Sequence, residues 1–229
     1  MKALAIDCAS SKMVVTAKNE DNIATLILEI GPKQSKELLP AIDFVLNKVE
    51  LQAKDLDYTT LCEGPGTFTG LRLAFSALKA IELSFDIPIY AVSTLECYAF
   101  PFKSFYGKII STIDAKKNQF FAAIYSKDEV IMNGEDSTLE KVCSFLKNDE
   151  QILCVGPDSK EFSELLKNKL SNENIIYFEN QENSGKTLFT LAEKMIEQKK
   201  EPLKDFAGPQ YLRKSEAELM LEEKLKSNN

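Results

Sequence analysis

The order of strand and helix patterns is the feature that most limits how this chain can fold. The first half begins with an apolar run at 2–7, followed by two strands, 14–18 and 22–30, whose polar connection predicts a hairpin. A helix with apolar residues at three- and four-residue steps follows at 35–51. The order then continues with a strand, a helix and a strand, at 57–64, 69–85 and 87–93.

The second half repeats this order. Three strands are predicted first, at 108–114, 119–126 and 129–134. A helix, a strand, a helix, a strand and a helix follow, at 137–148, 151–156, 159–170, 174–178 and 187–199. The first strand of each half ends in an aspartate, Asp7 and Asp114. This similarity indicates an internal duplication.

A three-stranded meander followed by alternating helices and strands is typical of the ribonuclease H-like plan. Two copies side by side predict the α/β architecture of actin, Hsp70 and the sugar kinases, in which a cleft separates two lobes. We therefore expect one lobe at 1–102 and a second at 103–229 that ends in a polar tail. Pro and Gly residues near 99–107 mark the joint, and its aromatic residues predict a packed connection.

The composition excludes several kinds of active site. The 229 residues contain no histidine, which rules out His-based zinc sites, Ser-His-Asp triads and Cys-His pairs. Five widely spaced cysteines, none in a Cys-x-x-Cys pair, argue against a disulfide framework or a zinc ribbon and indicate a reducing cytoplasm. The net charge of −7 predicts only indirect contact with RNA. The missing histidine and the unclustered cysteines also predict no bound metal. Since no apolar run approaches the ~20 residues of a membrane span, we predict no membrane association.

The stretch GPGTFTG at 64–70 opens the apolar helix and resembles a phosphate-binding loop. It lacks the lysine of a Walker A motif, and the third glycine of a dinucleotide fingerprint falls one residue late. We therefore favour a structural turn that lets the helix approach its neighbours and that Thr67 or Thr69 caps. The alternative is a loop that also contacts a ligand or a partner. The turn is formed by Gly64, Pro65, Gly66 and Gly70.

The two strand-ending aspartates are the candidate phosphate or Mg²⁺ ligands of a two-lobed kinase. The turns that follow Asp7 and Asp114, DCASSK and DAKKNQ, lack the glycines that let several N–H groups converge on phosphate. We therefore favour local pairing of each aspartate over catalysis, although Ser10 and Ser11 could still contact a phosphate. These four residues predict a degenerate nucleotide cleft with no tightly bound cofactor, and at most weak ADP or ATP binding there or at a partner interface.

The helix at 69–85 is apolar on nearly every side, which predicts burial on nearly every side. One face would pack on the sheet of its own lobe. The helix at 35–51 covers the other face in one alternative, and a partner protein covers it in the other. Small residues such as Ala74 and Ala77 would let a partner helix approach closely.

Four segments resemble the TsaB (YeaZ) family, and together they span most of the chain. The longest is EGPGTFTGLRLAFSALKAIELSFDIPIYAVSTLE at 63–96, and the others are SKELLP, STIDAKKNQFFAAIY and PQYLRKSEAE at 35–40, 111–125 and 209–218. The resemblance implies the two-lobed fold and a role in making threonylcarbamoyladenosine in tRNA. It also implies that a catalytic paralogue, TsaD, performs the chemistry and that the ATPase TsaE joins the pair. Many relatives carry histidine where this chain has Gln34.

The resemblance further implies that the helices after the third and fourth strands bind the TsaD-like paralogue. The predicted interface residues are Leu38, Leu39, Ile42, Thr69, Arg72, Leu73, Ala74 and Ala77, of which Ala77 is the preferred crossing point. We therefore predict a non-catalytic scaffold or activating subunit without catalytic residues of its own. The alternatives are an ATP-dependent small-molecule kinase of the same fold, a homodimer formed through the same helices, and a glycoprotease, whose metal-dependent form the missing histidines argue against.

Overall fold

Two five-stranded mixed sheets with the same strand order form the framework of the protein. The structure, a computed structural model, describes residues 1–127, 129–179 and 181–213. The first sheet has the order β3-β2-β1-β4-β5, with β1 antiparallel to β2 and parallel to β4. Its strands are Lys2–Asp7 (β1), Lys12–Asn19 (β2), Asn22–Glu29 (β3), Tyr58–Gly64 (β4) and Ile89–Ser93 (β5).

The second sheet repeats this plan with the order β8-β7-β6-β9-β10. Its strands are Lys108–Asp114 (β6), Gln119–Ser126 (β7), Glu129–Thr138 (β8), Ile152–Val155 (β9) and Ile175–Phe178 (β10). The helices are Gln34–Lys48 (α1), Phe68–Phe85 (α2), Thr94–Ala99 (α3), Leu139–Cys143 (α4), Ser159–Leu170 (α5) and Ser184–Glu197 (α6). The predicted pair of ribonuclease H-like lobes is confirmed by this topology.

The helix predicted at 137–148 is wrong in length, because β8 extends to Thr138 and leaves only five residues for α4. Ser137 pairs with Phe120 in the sheet, and the Thr138 hydroxyl accepts a hydrogen bond from the Lys141 amide. Helix α3 was not predicted at all. It is buried on most of its surface and packs on both β4 and β6, one strand from each lobe.

Three hydrophobic clusters hold these layers together. Helices α1 and α2 contact each other and pack on the outer face of the first sheet, and α4 and α5 pack on the outer face of the second. The third cluster lies between the lobes and includes α3 and α6. The joint at 99–107 is packed as predicted, because Phe100, Phe102 and Phe105 lie against this central cluster.

Chain segments cross between the lobes in both directions. Helix α6 belongs to the second half of the sequence but packs on β1, β2, β4 and β5 of the first sheet. After α6, the chain returns along the first lobe, where the Leu203 amide donates to the Ile89 carbonyl and the Gln210 amide to the Glu63 carbonyl. Of the predicted polar tail, residues 214–229 lie outside the described residues. No helix in the described part of the chain is long and apolar enough to cross a membrane.

Candidate functional site

The turn at 64–70 is fastened to the loop between β1 and β2. The Thr67 amide donates to the Ala9 carbonyl at 2.8 Å, and the Thr67 hydroxyl donates to the Cys8 carbonyl at 3.4 Å. Thr67 is the N-cap of α2 by position, but its side chain makes no capping hydrogen bond. The predicted cap is therefore replaced by an anchor to the neighbouring loop.

Three glycines of this turn are required by the backbone. A Cβ at Gly70 would lie 1.9 Å from the Cys8 carbonyl oxygen, so that only glycine lets α2 approach the loop this closely. Gly64 has a φ of +126°, a region that side chains rarely adopt, and the Gly64–Pro65 peptide bond is cis. Gly66 packs against Ala9 in the same way. These contacts support a structural turn that launches α2.

Asp7 ends β1 inside a buried hydrogen-bond network. Its carboxylate accepts from the Ala9 amide at 3.0 Å and from the Tyr98 hydroxyl at 3.1 Å. Gln181 donates to the Tyr98 hydroxyl at 2.6 Å and also pairs with the Ser10 hydroxyl. The network therefore joins β1, the following loop, α3 and the segment before α6.

This network encloses Asp7, whereas Ser10 also lines a crevice at the start of α1 and α2. The predicted nucleotide contact of these two residues stays a prediction. Asp7 has no exposed surface, and burial raises its pKa, against the opposing effect of its hydrogen bonds. The Tyr98 hydroxyl, itself bonded by Gln181, is a side-chain group that donates to this carboxylate. In this arrangement Asp7 serves the packing of the lobes.

Asp114, the equivalent aspartate of the second lobe, has a different environment. Partial burial opposes ionisation of its side chain, but hydrogen bonds and the charge of Lys116, together with Arg213, lower the pKa of Asp114 overall. Its carboxylate accepts from the Lys116 amide at 2.7 Å and pairs with the Lys116 ammonium at 2.5 Å. Asp7 and Asp114 each accept from the amide two residues ahead, which is the local pairing that the glycine-free turns predict.

A small crevice lies where α1 and α2 begin, and we call it the polar crevice after the serine, threonine and glutamine residues that line it. It has a volume of about 290 Å³, and Ser11, Gln34, Thr67 and Thr69 are among its lining residues. Gln34 is buried and donates to the carbonyls of Ser10 and Ser11, so that it ties α1 to the loop. No lining residue in the described part of the chain is titratable, and most of the surface of the crevice is apolar despite its serine and threonine residues.

The burial of α1 and α2 corrects half of the predicted interface. Each of the affected side chains belongs to the core under the two helices, because α1 and α2 use these positions to cover the first sheet. Ala77, the preferred crossing point, retains only 9% of its surface. The buried residues are Leu38, Ile42, Ala74 and Ala77.

The other predicted interface residues lie on the outer face of the helix pair. Leu39 on α1 is 67% exposed, and Thr69 and Arg72 on α2 are also exposed, whereas Leu73 is half-buried. The exposed stripe of α2 continues with Ser76, Ala80 and Leu83, which is 86% exposed. We call Leu39, Thr69, Arg72, Ser76, Ala80 and Leu83 the outer helix face.

Similarity to known proteins agrees with this architecture. A family model described as "TsaD: tRNA N6-adenosine threonylcarbamoyltransferase" matches residues 30–221. The "tRNA threonylcarbamoyladenosine biosynthesis protein TsaB" of Bacillus subtilis is 29% identical over 95% of this chain and 96% of its own length. The chain belongs to the TsaD family, in its TsaB (YeaZ) branch.

Two further matches fit the same assignment. The TsaB protein of Buchnera aphidicola from Acyrthosiphon pisum is 36% identical over 59% of this chain and 62% of its own length. The structure titled "YeaZ from Pseudomonas aeruginosa" superposes with a TM-score of 0.71 over 92% of this chain and all of that chain, at 19% identity. This superposition supports the fold alone.

Sequence reasoning missed three residues that organise the site. Tyr98 and Gln181 seal Asp7, and Tyr211 stacks on Phe68 of α2 with ring centroids 4.6 Å apart while its hydroxyl accepts from Arg72. The available signal for Tyr211 was its place in PQYLRKSEAE at 209–218, one of the segments that resemble the family. Tyr98 and Gln181 are far apart in the sequence, and no local pattern marks their contact.

Proposed function

We propose that this chain is a non-catalytic subunit in the synthesis of threonylcarbamoyladenosine in tRNA, where it binds a catalytic TsaD-type paralogue. The observation on which the proposal rests is the sealed position of Asp7 under Tyr98 and Gln181. An actin-like or kinase-like cleft needs an accessible carboxylate to bind metal and phosphate. In this lobe the corresponding residue, Asp7, is buried and bonded to other residues of the chain. The names of the TsaB relatives support the pathway.

The outer helix face is the surface that we propose for the paralogue. It combines two exposed leucines, Leu39 and Leu83, with the small residues Ser76 and Ala80, which allow a helix to approach closely. Arg72 is held by the Tyr211 hydroxyl at 2.8 Å and adds a positioned charge. An interface of standard size buries about 1,200–2,000 Å² in total, which one face of two helices and their flanks can supply.

The remaining parts of the proposal follow from this arrangement. An ATPase of the TsaE type joins the pair, and the polar crevice beside Ser11 and Thr69 is the proposed place for weak ADP or ATP contact at the partner interface. The net charge of −7 favours indirect contact with tRNA, through the partner. The complex is expected to act in the cytoplasm.

A double variant, Leu39→Asp/Leu83→Asp, tests the proposed surface. Both side chains are exposed, so the variant should fold, but an unpaired charge buried in the complex costs on the order of several kcal/mol. We expect at least a tenfold loss of affinity for the TsaD-type paralogue of the same organism, measured with purified proteins, where tenfold corresponds to about 1.4 kcal/mol. The same variant should fail to restore the modified nucleoside in depleted cells.

Tyr106→Asp is the control, because Tyr106 is also a large exposed hydrophobic residue, at 81%, but lies in the joint between the lobes. It should bind the paralogue normally. Full affinity of the double variant would contradict the proposed surface. A third outcome would favour a homodimer. In that case the isolated wild-type chain self-associates, the double variant does not, and neither protein binds the paralogue. ATP turnover by the isolated chain at about 1 per second or faster would favour a kinase.

A further inference from the structure

A second crevice lies between the lobes, at the end of α3 and away from the outer helix face. Its volume is about 340 Å³, and its walls come from α3, the joint, the β6–β8 part of the second sheet and α6. Small-molecule sites in proteins usually measure about 300–1,000 Å³ and combine apolar walls with a few polar groups. This crevice has both, since Phe100, Ile109 and Val130 line it beside charged side chains.

The charged lining is strongly one-sided. Lys103, Lys127 and Lys194 all line the crevice, and Glu96 is the only acidic side chain among the described lining residues. Two of these ammonium groups lie near the same ring, since the Lys194 ammonium is 4.4 Å and the Lys103 ammonium 5.3 Å from the Phe100 centroid. In the described part of the chain, none of the three lysines forms an ion pair.

This local excess of positive charge contrasts with the net charge of −7 for the whole chain. Like charges held close together repel each other. Among the described lining residues, Glu96 can compensate only one of the three lysine charges. A phosphate monoester carries about 1.5 to 2 negative charges at neutral pH, which matches the remaining excess of about two positive charges in the lining. The hydroxyl groups of Ser93 and Tyr125 and the Asn133 amide supply hydrogen-bond partners in the same crevice.

We propose that this crevice binds a small organic phosphate. The phosphate group lies between Lys103 and Lys194, with Lys127 at the rim, and the organic part packs along Ile109 and Val130. Burial, and next the negative charge of Glu96, raise the pKa of Tyr125 further above neutral pH, where its phenol is a hydrogen-bond donor in any case. The site shares no lining residue with the polar crevice at the start of α2.

Calorimetric titration of the full chain with phenyl phosphate tests the proposal. We expect phenyl phosphate to bind to the wild type. The neutral probe benzyl alcohol should bind at least tenfold more weakly, because each hydrogen bond to a charged group adds about 1.5–3 kcal/mol. Lys103→Gln/Lys194→Gln should lower the phenyl phosphate affinity at least tenfold. Glu96→Gln should raise it, because it removes the one negative charge of the lining.

Lys160→Gln/Lys186→Gln removes the same number of charges from exposed positions outside the crevice and is the matched control. It should bind phenyl phosphate like the wild type. Absence of binding by the wild type up to about 10 mM, a range that corresponds to only a few kcal/mol, would overturn the proposal. An equal loss in the control variant, or weaker binding of Glu96→Gln, would overturn it as well. Circular dichroism of each variant verifies that it is folded.

Discussion

The carboxylate of Asp7 has no contact with solvent, and this burial makes the stability of the protein depend on pH. Because burial raises the pKa of Asp7 in the folded state above its ordinary value of 3.8, the folded chain holds this proton more tightly than the unfolded chain does. The stabilisation that protonation contributes is complete below the unfolded pKa. It is lost as the pH rises from about 3.8 through the folded pKa.

Replacing Asp7 by the neutral, isosteric Asn should therefore remove this dependence. We expect the free energy of unfolding of the wild type, relative to Asp7→Asn, to decrease as the pH rises from 4 towards neutrality. Urea unfolding of both proteins over this range measures the difference. Asp21→Asn, which removes a carboxylate from an exposed turn, is the control. A constant difference between wild type and Asp7→Asn would mean that Asp7 is not desolvated.

At the scale of elements, the position of α2 depends on its first turn. Gly70→Ala would place a methyl group 1.9 Å from the Cys8 carbonyl oxygen, which belongs to the backbone and cannot rotate away. We expect a loss of about 1–3 kcal/mol in the free energy of unfolding, typical of overpacking. Gly208→Ala is the matched control, since a Cβ there meets no atom within 4 Å. Equal free energies of unfolding for the two variants would show that the turn can shift to accommodate the added methyl group.

The same elements explain how much of the fold and the site could be predicted from sequence. Periodicity identified α2 and α5 almost to the residue, because each has a continuous apolar face. It could not decide which side of α2 faces out, since Ala74 and Ala77 are small and apolar whether they lie in a core or at an interface. Helix α3 was not predicted, because its six residues are buried on nearly all sides and show no periodic pattern. The enclosure of Asp7 depends on the hydrogen bond from Gln181 to Tyr98, a contact across 83 positions that only the assembled lobes create.

At the scale of the whole molecule, exchanged segments bind the two lobes into one unit. Helix α3 leaves the first sheet and packs on β6, and α6 returns from the second half to pack on β1. Both helices contribute to the hydrophobic cluster between the sheets. A cleft that opened and closed around a ligand would have to separate this apolar contact. We therefore expect the lobes to unfold together, and a lobe expressed alone would leave that surface exposed to water.

The segment 203–213, which we call the strap, contacts both lobes with polar and aromatic side chains. On the first lobe, Tyr211 stacks on Phe68 of α2. On the second, the Arg213 guanidinium donates to both carboxylate oxygens of Asp136, at 2.6 and 2.8 Å, and to the Gln119 side chain at 2.6 Å. Bidentate pairs of this kind are among the stronger charged hydrogen bonds, although partial exposure to solvent weakens them.

Arg213→Ala should release the second anchor while the sheets remain intact. We expect faster amide hydrogen exchange for residues 203–213, unchanged exchange in the central strands of both sheets, and a loss of about 1 kcal/mol or more in the free energy of unfolding. Lys204→Ala is the control within the same segment, because the contact recorded there uses the backbone carbonyl of Lys204 and not its side chain. If exchange in 203–213 stays as slow as in the wild type, the anchors on the first lobe suffice and the strap does not couple the lobes. If the strap does couple them, the release should also reach the Tyr211 hydroxyl that positions Arg72, and affinity for the paralogue should fall although Arg213 lies outside the outer helix face.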